Sequence, residues 1–287
     1  MRIEDQRRSD NVEDRRGMRL SGGGGLGIGT IVVVLLISWV TGTNPLTLFQ
    51  MAGGLSGGTT QAPAEEGRMG VPANDPQADF AAAVLGSTED AWTRVFQEAG
   101  ERYTPPRLVI FTDAVQSECG TNSAAVGPFY CPGDQKVYID LGFFKELDQK
   151  FGAPGDFAQA YVVAHEVGHH IQKLIGVSDQ VQAARQRASE SEANRLSVLQ
   201  ELQADCFAGV WGFHATQKNL MEPGDVEEGL RAAAAIGDDT LQRRAQGRVS
   251  PESFTHGSSE QRVEWLRRGL TQGTIAACDT FGQASRR

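Results

Sequence analysis

No stretch of this 287-residue chain carries the basic cluster that nucleic-acid binding requires. Net charge is −9, and the first twenty residues, with six arginines against five acids, leave −10 for everything after them. Such an acidic body gains nothing from a phosphate backbone and little from anionic lipid. C-x-x-C pairs are absent, so the four cysteines do not have the usual spacing of a thiolate zinc site. No internal repeat is present, which sets aside solenoids and propellers. Long apolar runs are missing too, apart from one between Leu26 and Val40. Against those absences stands 40 % hydrophobic content, in a chain long enough for one sizeable domain with appendages.

What the chain does contain is His165-Glu166-Val167-Gly168-His169. Histidines four residues apart lie on nearly the same face of a helix, so both imidazoles can hold one ion. The glutamate between them then reaches a water bound to that ion. Asp156 or Gly155 opens a run in which Phe157, Ala160, Tyr161, Ala164, Val167, Ile171 and Leu174 recur at helical spacing, and Gly176 supplies a stop. The motif is therefore predicted in mid-helix, backed by a buried stripe. His170 points about 100° away from His169 on such a helix and reads as a flanking residue, not a ligand.

A catalytic zinc ion usually takes three protein ligands and keeps a fourth position open. The extended metzincin pattern needs glycine and histidine where this chain has Gln172 and Ile175, so that class is excluded. Further on, Ser189-Glu190-Ser191-Glu192 reads as a capping box opening a second helix through Leu196, Leu199, Leu202 and Phe207. Glu201 and Asp205 lie one turn apart on it, with Ala204 and Ala208 beside them as small residues that allow another helix to come close. Glu201 is the predicted third ligand of one Zn2+ ion, and Asp205 the acceptor for the free N–H of a ligand imidazole.

These segments carry a resemblance. His165–His170, Glu201–Cys206, Thr255–Arg262, Gly127–Pro132, Val137–Leu141 and Ser9–Arg16 together resemble the bacterial "putative neutral zinc metallopeptidase" family, nearly end to end. The resemblance implies a gluzincin-type peptidase with His165, His169 and Glu201 on zinc and Glu166 as the catalytic base. Its implied fold is α+β and zincin-like: a predominantly helical catalytic domain with a small sheet. No substrate follows from it beyond a peptide or protein.

The chemistry also needs a donor for the developing oxyanion. His256 is the first candidate, in a polar turn before a helix opened by Ser258 and Gln261; related gluzincins place a histidine in a comparable sequence before an arginine. Tyr130, Tyr138 and Tyr161 are weaker candidates, and Arg262 is expected to anchor either Glu201 or Asp205. Two rival readings are a metal-binding assembly or partner-recruiting protein without turnover, and a zinc hydrolase of other bonds. An intact Glu166 argues against the first, since a structural metal site needs no base.

The apolar run, with its flanks, spans about 18 residues, the short end for a membrane crossing. Arginines precede it and few follow closely, which predicts a single-pass anchor in the inner (cytoplasmic) membrane with a periplasmic catalytic domain. No small-x-small site follows that would make it a cleaved signal peptide. The expected organisation is a cytoplasmic polar tail over 1–25, a transmembrane anchor over 26–43, a Gly/Pro/Ala-rich tether over 44–78 and the peptidase domain over 79–287. Inside the domain, a helix opening at Ser87 and strands at Arg107–Thr112 and Lys136–Leu141 are the clearest further elements, and either strand could hold extended substrate. Export would leave Cys119, Cys131, Cys206 and Cys278 in an oxidising compartment, where three pairings exist. Cys119–Cys131 and Cys206–Cys278 are preferred, with a reduced, packing-only Cys206 as the alternative.

Overall fold

The computed structural model describes residues 1–18 and 67–284. Seven strands occur among them: β1 (Val12–Asp14), β2 (Arg68–Met69), β3 (Arg107–Phe111), β4 (Ala114–Ser117), β5 (Gly120–Ser123), β6 (Phe129–Cys131) and β7 (Lys136–Asp140). Five form one mixed sheet in the order β2-β1-β3-β7-β6, and β4 with β5 forms a separate hairpin. β3 and β7 run parallel at its centre, Leu108 opposite Val137 and Ile110 opposite Ile139, all four buried. Their continuous apolar runs are what a strand covered on both faces requires.

Helices supply most of the rest: α1 (Pro76–Glu98), α2 (Gly142–Gln149), α3 (Asp156–Leu174), α4 (Val177–Arg185), α5 (Glu190–Gln217), α6 (Asp225–Ala235), α7 (Asp238–Gln246), α8 (Ser259–Gln272) and α9 (Thr280–Ala284). The mainly helical α+β expectation holds. α3 carries the histidine motif between Gly155 and Gly176 as predicted, and Ser189 caps α5 by accepting the Glu192 amide. The capping box at Ser258 and Gln261 is formed in both directions at the start of α8. α3, α5 and α8 touch almost backbone to backbone. A Cβ on Gly168 would come within 2.8 Å of the Ala204 carbonyl, and one on Gly269 within 2.0 Å of the Cys206 carbonyl.

α1 is longer than the reading from Ser87 allowed. Asp75 caps it by accepting the Ala78 amide, and Pro76 sits in its first turn. Ala81, Ala82, Ala83, Val84 and Leu85 are all fully buried, so this first half is covered on every side and shows no amphipathic period. Gly86 is a helix-interior glycine because the chain's own beginning crosses there: a Cβ would meet the Arg7 carbonyl at 2.7 Å.

That crossing corrects the expected polar tail over 1–25. Residues 1–16 belong to the same compact unit as residues 67 onward. β1 pairs in parallel with β3, Glu13 opposite Val109, and antiparallel with β2, Glu13 opposite Met69. Val12 and Glu13 are fully buried. The Glu13 carboxylate takes Arg15 at 2.6 Å, Lys136 at 3.1 Å and Arg107 at 3.3 Å. Arg16 bridges to Asp75, the α1 cap, at 2.6 Å. Charged residues that read as solvated in sequence are paired across the fold. The expected start of the domain at residue 79 moves correspondingly to Gly67, which donates its amide to Glu13.

The predicted anchor over 26–43, and the tether as far as residue 66, lie outside the described residues. Among the described residues no helix is long and apolar enough to cross a membrane. β1 and β2 flank that segment and hydrogen-bond within one sheet.

Candidate active site

α3 presents His165, Glu166 and His169 toward α5, which presents Glu201 and Asp205 in return. Glu201 stands between the two imidazoles, Oε2 at 3.2 Å from Nε2 of His165 and Oε1 at 3.4 Å from Nε2 of His169. One ligand atom from each of the three lies within 4.8 Å of the others. Two imidazole nitrogens and a carboxylate at that spacing are a zinc donor set with room for a fourth ligand. Glu166 fits the same picture: it is buried, and its Oε2 has no hydrogen-bond partner among the described residues.

Behind the donors, Nδ1 of His165 donates to Asp205 Oδ1 at 2.8 Å, which leaves Nε2, on the Glu201 side, as the nitrogen that can meet a metal ion. Arg262, on α8, grips Asp205 through Nε at 2.8 Å and Nη2 at 2.9 Å, and Tyr161 donates to it at 2.5 Å. Arg262 therefore anchors Asp205, not Glu201. Burial pushes the Asp205 carboxyl up, but Arg262 and His165 outweigh it and hold the group at about 2. Burial likewise opposes charge on His165, yet Asp205 and Glu201 push it up to about 10. Glu201, despite burial, is pulled well below the usual carboxylate range by His169 and His165. The cluster has a strong demand for positive charge, which protons or a divalent cation can meet. Glu166 moves the other way: burial raises its pKa, against the pull of both histidines.

His256 sits in the same cleft, a cavity of about 800 Å³ that also exposes His165, Glu166, His169 and Glu201. The turn holding it is organised by Asp238, at the start of α7. Oδ2 of Asp238 accepts the amides of Thr255, His256 and Gly257 at 2.7, 2.7 and 3.1 Å, while Oδ1 faces His256 Nδ1 at 3.3 Å. The Asp238 hydrogen bond raises the His256 pKa above its ordinary value. The tyrosines are committed elsewhere: Tyr130 donates to His170, Tyr138 to Asp134 and Tyr161 to Asp205. His170 is buried, donates through Nε2 to the Thr104 carbonyl at 2.7 Å, and is pushed by burial down to about 4. It links α3 to β6, not to the donor set.

β6 forms one outer edge of the sheet and lines the cleft through Phe129 and Tyr130. The expectation that β3 or β7 holds substrate is corrected, since both are interior strands. A three-residue strand inside Gly127–Pro132 has too little alternation to be recognised from sequence. A second acidic group, Asp156, Asp225 and Glu228, is served by the α-ammonium of Met1, 2.6 Å from Asp156 and 3.4 Å from Asp225.

Residues 1–281 match the family described as "Putative neutral zinc metallopeptidase". The chain belongs to that family. It is 47 % identical over 296 aligned positions to "Uncharacterized protein YpfJ" of Escherichia coli (strain K12), covering 99 % of this chain and all of that one. It is 44 % identical over 193 positions to "Uncharacterized protein Rv2575" of Mycobacterium tuberculosis (strain ATCC 25618 / H37Rv), covering 63 % of this chain and 64 % of the relative. No solved structure matches. The family match begins at residue 1, in keeping with an amino-terminal strand that is part of the domain.

Both preferred disulfides are present, Cys119–Cys131 and Cys206–Cys278, and no described cysteine is free. Three residues of this family member's site were not picked out as such from sequence. Asp238 lies 18 residues from His256, and nothing local connects them. Gln172 figured only as a mismatch to another zinc-peptidase class, and Gln203 was not singled out at all. Both glutamines are buried beside the candidate donor set, and neither that burial nor their partners can be read from the local sequence.

Proposed function

We propose that this protein is a zinc-dependent peptidase of zincin-like architecture. The observation that carries the reading is the buried, unpartnered Glu166 carboxylate beside a His165/His169/Glu201 donor set. Zinc held by those three would acidify a bound water and polarise the scissile carbonyl. Glu166 takes the proton from the attacking water and later passes it to the leaving amine. His256, whose contact with Asp238 raises its pKa and so favours the donor form, would donate to the developing oxyanion from the cleft wall. β6 offers its free edge to an extended peptide, whose backbone it would pair while side chains enter the cleft. Glu166→Gln is expected to retain one zinc ion per chain and to lose about 10²- to 10⁴-fold in cleavage of a peptide library. Zinc with no cleavage in the wild-type protein would instead favour the metal-binding, partner-recruiting role, and cleavage confined to non-peptide esters or amides would favour the other hydrolase class.

The location we propose is extracytoplasmic, where two disulfides persist. Membrane attachment through residues 26–43 then requires entry and exit on the same side, since β1 and β2 share a sheet. Single cysteines replacing the exposed Arg2 and Met69 should label together with an impermeant thiol reagent applied to the periplasmic face. Labelling of one flank alone sinks this topology.

A further inference from the structure

The two ligand imidazoles are oriented by different chemistry. His165 leans on an anion, Asp205, whereas Nδ1 of His169 meets the Oε1 of Gln172 at 2.9 Å. Gln172 is fully buried, so each of its amide atoms needs a partner. Its Nε2 donates to the Gln200 carbonyl at 2.6 Å and to Gln203 Oε1 at 3.1 Å. Gln203, also buried, donates in turn through Nε2 to the Cys278 carbonyl at 2.9 Å. Backbone carbonyls only accept, so the Gln200 and Cys278 oxygens fix both amides in one orientation. Flipping Gln172 would set its oxygen against two acceptors. Nδ1 of His169 must therefore carry a hydrogen, which leaves Nε2, the nitrogen on the Glu201 side, as the one that can meet a metal ion. All three donors point the same way along the chain, an arrangement in which each bond polarises the next.

The far end of this relay is covalently pinned. Cys278 closes a 3-10 turn, Ile275–Cys278, and its sulfur is bonded to Cys206 on α5, next to Asp205. We propose that Gln172 is the positioning residue of the second imidazole, and that the Gln172–Gln203–Cys278 relay makes metal affinity depend on the Cys206–Cys278 disulfide. This rests on the metal-site reading above. In a reducing compartment the pin is lost, the Cys278 carbonyl is released, and His169 is free to present either nitrogen. The other disulfide, Cys119–Cys131, ties the β4–β5 hairpin to β6 and touches none of these groups.

The test is zinc affinity of the purified full-length chain, by competition with a chromophoric chelator. Gln172→Leu is expected to weaken zinc binding by about 10- to 100-fold, the usual effect of removing a group that orients a ligand. The Cys206→Ser/Cys278→Ser pair should weaken it in the same direction, and Cys119→Ser/Cys131→Ser should leave it unchanged. In the nitrogen-15 spectrum of the zinc-loaded wild type, the His169 Nδ1 proton should be slow to exchange, and in Gln172→Leu that protection should vanish. A general loss of packing would not move this signal selectively. Wild-type protein that binds no zinc overturns the metal-site reading itself. Wild-type zinc binding with an unaltered Gln172→Leu affinity overturns the positioning role alone, and equal weakening by both cysteine pairs overturns the disulfide link. Should Gln172→Leu not fold, Gln203→Met breaks the relay one step further out, and an unchanged zinc affinity there overturns the proposal.

Discussion

At the scale of single residues, two carboxylates that bind no metal do much to set what the site can do. Asp238 holds a turn by three amides and leaves one oxygen for His256, whose pKa it raises from 6.5. A raised histidine pKa means that the donor form persists below the shifted value and is lost as pH climbs through it. Asp238→Asn should therefore move the alkaline limb of the kcat/KM profile toward lower pH, and His256→Ala should remove that limb while lowering kcat by about 10²- to 10³-fold. An unshifted limb in Asp238→Asn would falsify this account. Asp205 is the more exposed to damage, energetically, because it is fully buried and its charge depends on Arg262. Removing Arg262 as Arg262→Leu leaves that carboxylate uncompensated and should cost about 3–5 kcal/mol in urea unfolding of the metal-free protein. Tyr161→Phe, which deletes a single hydrogen bond to the same carboxylate, should cost about 1 kcal/mol. A similar cost for both changes would mean that Arg262 serves packing more than charge.

Among the elements, the site exists because three helices come closer than ordinary side chains allow. Gly168 faces Ala204, and Gly269 faces Cys206 and Gly209, so α3 and α8 reach α5 on both sides of its acidic turn. Gly269→Ala would force a methyl to within 2.0 Å of the Cys206 carbonyl, and a backbone atom cannot step aside as a side-chain tip can. A loss of about 1–3 kcal/mol is expected from this overpacking, read as a lower midpoint in thermal unfolding. Zinc affinity should fall with it, because Arg262 rides on α8; unchanged affinity would uncouple α8 from the metal site. These helices were the legible part of the sequence. Serines cap α5 and α8, glycines bracket α3, and the histidine pair, Glu201 and Asp205 all follow from one-turn spacing. α1 was half legible, since a helix buried all round has no period until Trp92 and Phe96 on one side and exposed positions on the other restore one. β6 was not legible, because three residues do not make an alternation and its place at the sheet's edge comes only from the folded chain. Asp238 and Gln203 act across 18 and 75 residues, through contacts that only the folded chain creates.

Over the whole molecule, the largest departure from the sequence is the amino-terminal arm, and it changes what the domain is. Six arginines against five acids read as a polar tail, but four of those arginines, Arg7, Arg8, Arg15 and Arg16, are paired within the fold with Glu13, Asp14, Asp75, Asp79 and Glu89. β1 lies between β2 and β3, so a fragment beginning at residue 79 would expose one side of β3 and leave Lys136 and Arg107 without Glu13. Burial alone would raise the Glu13 carboxyl, yet Arg15, the Gly67 amide and Lys136 bring it down from 4.5 to about 2. A depressed folded-state pKa gives stability that is complete above the ordinary carboxylate range and drains away as pH falls from there toward 2, as the unfolded chain takes up the proton more readily. Glu13→Gln should therefore lower the melting temperature at pH 7, with the gap to wild type closing as pH is taken from about 5 toward 2. A chain lacking residues 1–16 should unfold at lower urea with a smaller m-value, since less surface is left to expose. If that truncated chain instead melts with wild-type midpoint and slope, β1 does not belong to the domain, and the argument against a single membrane crossing falls with it.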